Sequence, residues 1–149
     1  MNEGRHSSDV LSRPLSEAMQ DLYRRLDAEI ARFQVSCDAC GRCCHFSEFD
    51  HVLYLSRLEA LYLFRRGAPR TGDTRVCPFL NEGGCGARSR RALGCRTFFC
   101  DRRDRDSFQS LYETYHREMR ALSERFGIEW RYAPLAEQIQ AMEKQSVAT

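Results

Sequence analysis

Lysine is almost absent from this chain: Lys144 stands alone against twenty-two arginines in 149 residues. The arginines are spread along the whole length, as coding bias in a GC-rich genome would leave them; the alternative is local use of guanidinium beside a charged site. Long apolar runs are also missing. None approaches the roughly 20 residues that a membrane-spanning helix needs. The opening segment from Met1 to Pro14 is polar, with neither an apolar core nor a small-residue cleavage site. The expectation is therefore a cytoplasmic protein without a signal peptide or a membrane span. Charge of one sign is not in excess, and a formal net charge of +2 excludes a strongly basic nucleic-acid arm. The sequence has no Gly-rich strand-to-helix turn for a nucleotide-like cofactor and no hydrolase elbow. It has no paired carboxylates in a recognisable catalytic setting, no internal repeat and no long low-complexity tract. Catalysis is thus left without visible machinery.

Cysteine is the opposite case. Eight are present, four of them in the run Cys37-Asp38-Ala39-Cys40-Gly41-Arg42-Cys43-Cys44, spaced C-x2-C-x2-C-C. The others are Cys77, Cys85, Cys95 and Cys100. A disulfide framework would need an oxidising compartment, and in a cytoplasmic protein thiols stay reduced. Cysteines acting only as small hydrophobes would not cluster in this way, although Cys44 taken singly fits that role. Metal binding is the reading that explains the set, because a C-x2-C loop turns two thiolates toward one ion.

Helical signals flank the cysteines. Leu15, Met19, Leu22, Leu26, Ile30 and Phe33 draw an apolar stripe at three- and four-residue steps, which predicts a helix over about 14–34. Ser56-x-x-Glu59 reads as a capping box opening a short helix that Gly67 ends, and Phe49 to Leu55 suggests a short strand. From Ala68 to Arg105 no regular period survives, and Asn81-Glu82-Gly83-Gly84 marks a turn of hairpin type. Asp106 is placed to cap a helix over about 107–126, with a stripe of Phe108, Leu111, Tyr112, Tyr115, Met119, Leu122 and Phe126 closed by Gly127. Pro134 suits the first turn of a last helix over about 134–146. Tyr112 and Tyr115 are read as core residues, and His116 as structural. The predicted fold class is mainly α: one small cysteine-cluster domain over 1–149, with helices flanking irregular metal-binding loops within 37–100.

The order Cys37-x2-Cys40-x2-Cys43-Cys44, then Cys77-Pro78-Phe79-Leu80, then Cys85, then Cys95-Arg96-Thr97-Phe98-Phe99-Cys100 resembles the YkgJ-type cysteine-cluster family, described as zinc- or iron-chelating proteins. The resemblance covers about Cys37 to Cys100. It departs from the family where Arg91-Ala92 replaces the frequent Arg-Pro and where Phe99-Cys100 replaces Pro-Cys. It implies metal chelation by all eight cysteines and leaves the physiological role open. A remoter likeness, to flagellin lysine methylase in the cysteine motif, brings in protein methylation by analogy only.

Spacing bears on the metal. Zinc ribbons pair two C-x2-C knuckles, whereas the second group here is separated by seven, nine and four residues. C-x2-C-x2-C with a distant Cys-Pro, here Cys77-Pro78, resembles the ligand distribution of a [4Fe–4S] cluster, although the usual third gap is absent. An iron–sulfur cluster is the preferred cofactor and zinc the alternative. Adjacent side chains do not readily reach one small ion, so Cys44 is expected to face a second site, the core or an open position. Four thiolates leave a net negative charge, for which Arg42 and Arg96 are the candidate guanidinium donors to sulfur. His45 and His51 are less needed as ligands because sulfur already suffices, and Asp101, Asp104 and Asp106 alternate with arginines as a solvated turn.

Three function classes follow. The first is a metal-binding protein that transfers electrons, senses redox state or iron, or hands metal to an unknown protein partner. The second is a structural zinc module docking protein or nucleic acid, since Gly86 to Arg105 holds seven arginines against Asp101 and Asp104. The third is a metal-dependent enzyme, with Cys44 as the conceivable nucleophile.

Overall fold

The computed structural model describes residues 11–33, 52–67, 76–81, 84–98 and 103–148. The fold is mainly α. Helix α1 runs Arg13–Ile30, strand β1 Tyr54–Ser56, helix α2 Arg57–Leu63, strands β2 and β3 Leu80–Asn81 and Gly84–Cys85, helix α3 Leu93–Thr97, helix α4 Arg105–Arg125, strand β4 Tyr132–Pro134 and helix α5 Leu135–Ala148. A 3-10 turn, Arg88–Arg90, precedes α3.

The predicted stripes are the buried faces. On α1 the side chains of Leu15, Met19, Leu22 and Leu26 are buried, joined by Tyr23. Ser12 caps this helix by accepting from the Leu15 N–H at 3.3 Å, and Pro14 sits in the first turn, where its missing N–H costs nothing. On α4 the buried face is Phe108, Tyr115, Met119 and Leu122, with Leu111, Tyr112 and Phe126 half-buried against the same core. The two long helices pack together, and Leu55, Leu58, Leu61, Phe64 and Leu93 are buried in the same core.

Ser56 and Glu59 form a complete capping box at the start of α2. Gly67, at φ 125°, follows the turn after that helix. At the end of α4, Gly127 (φ 70°) donates to the Glu124 carbonyl at 3.2 Å and Ile128 donates to the Ser123 carbonyl at 2.9 Å, which is a Schellman closure.

Three sequence expectations change. The cap residue of α4 is Asp104, without a side-chain cap bond, while Asp106 lies within the first turn. Pro134 closes strand β4 opposite Tyr54 instead of opening α5. The strand placed at Phe49 to Leu55 is observed as Tyr54–Ser56, antiparallel to β4; Phe49, Asp50 and His51 lie outside the described residues. The expected hairpin is present as β2 and β3, with Leu80 opposite Cys85. The segment read as irregular also contains α3, which periodicity could not reveal in five residues.

Candidate metal centre and the arginine-lined cavity beside it

Three of the eight cysteines fall among the described residues. Cys77 is buried just ahead of β2, Cys85 is half-buried in β3, and Cys95 is half-buried in α3. All three pack against the hydrophobic core. Local backbone bonds hold the two turns: Leu80 N–H donates to the Cys77 carbonyl at 3.0 Å, and Cys95 N–H to the Ala92 carbonyl at 3.0 Å. Cys37, Cys40, Cys43, Cys44 and Cys100 lie outside the described residues, as do Arg42, His45, His51 and Asp101.

The donor set bears on what these residues could hold. Among the described residues no group of three or more His, Cys, Asp or Glu side chains is placed to bind a metal ion. Cys77, Cys85 and Cys95 therefore do not make a closed tripod by themselves. A four-ligand centre using any of them must draw at least two donors from outside the described residues, where five of the cysteines lie. An all-sulfur set of that kind fits zinc or an iron–sulfur cluster by donor chemistry.

Arg96, the residue after Cys95, is only 4% exposed. Its guanidinium donates to the Asp27 carboxylate at 2.8 Å, to the Arg91 carbonyl at 2.8 Å and to the Ser89 carbonyl at 2.7 Å. Its carbon centre lies 3.8 Å from the centroid of the Tyr23 ring. These contacts tie the loop before α3 to α1, a clamp that the sequence reading of Arg96 as a donor to sulfur did not foresee.

Glu59 organises the same region from below. Its carboxylate accepts from the Ser56 N–H at 2.7 Å, the Ser56 hydroxyl at 2.9 Å and the Leu93 N–H at 2.9 Å. Ala92 makes no side-chain cap for α3. Glu59 therefore caps α2 through the box and α3 through space, placing Cys95 relative to α2. Burial raises the Glu59 carboxyl pKa, against the opposing effect of those hydrogen bonds and of Arg96.

Beside this clamp opens a cavity of about 630 Å³. Its walls include Arg24, Arg65, Arg66, Arg88, Arg90, Arg91 and Arg96, and among the described residues its one carboxylate is Asp27. Arg65 donates to the Ser16 hydroxyl at 2.9 Å and lies 5.1 Å from the Tyr62 ring centroid. Arg90 donates to the Leu63 carbonyl at 3.1 Å. Burial, then the neighbouring Arg66 charge, lowers the pKa of Arg90; Cys85 pulls the other way, and Arg65 adds to the lowering. Tyr23 is 3% exposed and its hydroxyl has no hydrogen-bond partner among the described residues. Burial pushes its pKa well above the ordinary phenol range.

A second polar group stands apart at the β1–β4 end. Tyr112 and Tyr132 share a hydroxyl–hydroxyl bond. His116 packs between Tyr112 and Trp130, with ring centroids 5.5 and 5.2 Å away. Burial and the nearby Arg120 hold His116 below the usual imidazole pKa. Tyr115 donates to Glu29 and is pushed up to about 12, mainly by burial. Tyr112, Tyr115 and His116 thus have packing partners, while the buried His116 Nδ1 has no hydrogen-bond partner among the described residues.

Comparison with protein-family models, with curated proteins and with solved structures found no match. Among the described residues no helix is long and apolar enough to cross a membrane.

Proposed function

We propose that this chain is a metal-binding cysteine-cluster protein of the YkgJ type, working in a reducing cytoplasm, whose thiolates hold an iron–sulfur cluster. The observation that carries the reading is the C-x2-C-x2-C-C run followed by four more spaced cysteines. Two features of the fold support it. Cys77, Cys85 and Cys95 sit against the core rather than on exposed tips, which suits a centre shielded from water. They also lie in or beside short elements, β2, β3 and α3, whose backbone bonds hold them in place.

The cluster would supply one-electron chemistry, used in electron transfer, in redox or iron sensing, or in handing metal to a protein partner. The chain's own part is to supply sulfur donors and hold them in place: Glu59 and Arg96 fix α3, and the β2–β3 hairpin fixes Cys85. The same sulfurs suit zinc, which would make the chain a structural module instead of a redox protein.

Anaerobic purification followed by iron, zinc and acid-labile sulfide analysis tests the reading. The expected result is iron with sulfide and a broad visible absorption near ~400 nm that bleaches with dithionite. Stoichiometric zinc in a colourless protein overturns the cluster and keeps the metal site. Metal-free, disulfide-bonded protein overturns both.

A further inference from the structure

We propose that the arginine-lined cavity is a binding site for a compact polyphosphate, of the class of pyrophosphate or the phosphate chain of a nucleoside di- or triphosphate. The inference stands independently of the metal, because the cavity is built from α1, the end of α2 and the 88–96 segment.

Its volume of about 630 Å³ falls within the roughly 300–1,000 Å³ of ordinary small-molecule sites. Its charge is far from ordinary. Seven arginines line one concavity with a single carboxylate residue, Asp27, among the described residues; Arg96 already holds that carboxylate at 2.8 Å, and Arg24 is paired with Asp21 at 2.6 Å. Structural duty accounts for part of the cluster only. Arg96 clamps a loop, but Arg66 is exposed and has no hydrogen-bond or ion-pair partner among the described residues. Arg65 and Arg90 each use one nitrogen in the bonds that place them, Nη1 to Ser16 and Nε to Leu63. A guanidinium has five N–H groups, so both retain donors for an anion. Like charges gathered this closely repel one another unless a counter-charge enters, and burial makes the repulsion stronger.

The choice of phosphate follows from geometry. Guanidinium forks match phosphate oxygens in bidentate fashion, and arginines arriving from three segments can surround more than one phosphate group. The aromatic faces that would stack a base are already occupied. Arg96 covers Tyr23 at 3.8 Å and Arg65 covers Tyr62 at 5.1 Å. Recognition therefore runs through phosphate rather than through a base, and single-stranded nucleic acid, which relies on such stacking, fits less well.

The test is calorimetric titration of the purified full chain with pyrophosphate at low and moderate salt, with ATP and a single-stranded RNA oligonucleotide as comparison ligands. The expected result is saturable pyrophosphate binding that weakens as salt rises, and ATP competing for the same site. Arg66→Glu should weaken binding roughly tenfold or more through the loss of a charge-assisted contact and its replacement by a repelling one. Arg117→Glu, an equal charge change on the exposed face of α4 away from the cavity, should leave binding within about twofold. Circular dichroism confirms that each variant is folded, and Arg24→Gln at the cavity rim serves if Arg66→Glu is not. Absence of pyrophosphate binding overturns the proposal. Equal weakening by the cavity variant and Arg117→Glu also overturns it, as does RNA binding that pyrophosphate fails to displace.

Discussion

Glu59 shows how one side chain can join two elements and leave a pH signature. Its two oxygens accept from three donors, of which Leu93 N–H belongs to a helix otherwise lacking a side-chain cap. Glu59→Gln offers one acceptor oxygen and one NH2, so a buried donor on either α2 or α3 loses its partner; the expected cost is about 1–3 kcal/mol. Because burial raises the carboxyl pKa in the folded state, folding takes up a proton. The stability this contributes is fully present below the unfolded carboxyl value and is lost as pH rises through the folded one. Chemical denaturation of wild type and Glu59→Gln from pH 4 upward should therefore show the gap between them narrowing with pH. A gap that widens instead would mean that hydrogen bonds to the carboxylate outweigh its desolvation.

Among the elements, those written locally in the sequence were the legible ones. The α1 and α4 stripes, the Ser56–Glu59 box and the closing glycines each lie within a few residues of what they specify, and each is observed. What escaped depends on distant partners. Helix α3 has its cap supplied from Glu59, 34 residues earlier, and β4 is recognisable only through Tyr54 facing Pro134 and Ser56 facing Tyr132. The cavity arginines come from α1, the end of α2 and the 88–96 segment, so composition could count them but not bring them together. Arg96 clamps the loop before α3 to α1 and lines the cavity, neither of which its adjacency to Cys95 suggested. Five of the expected ligands, among them all four of the first cluster, lie outside the described residues. The glycine signal gives a sharp test at this scale. Gly127 adopts φ 70° with open space where a Cβ would stand, so Gly127→Ala meets backbone strain without a packing clash. Its expected cost is about 1–2 kcal/mol, read as a lower denaturation midpoint with unchanged slope.

At the scale of the whole molecule, two sources of order are separable. The long helices bury Leu15, Met19, Leu26, Met119 and Leu135 in one apolar core. The cysteine segments have shorter elements: two-residue strands and a five-residue helix, which on their own hold little cooperative structure. If metal joins the Cys37–Cys44 run to the later cysteines, its binding free energy is coupled to the order of the middle of the chain, while the helical core rests on apolar burial. Chelation of the anaerobically purified protein should then leave most of the helical circular dichroism in place. Amide exchange should accelerate between Cys77 and Thr97 far more than within α1 or α4. Cooperative loss of all helical signal on chelation would show that the core depends on the metal after all. Unchanged exchange throughout, with metal demonstrably removed, would show that the metal does not tie the later cysteines to the first cluster.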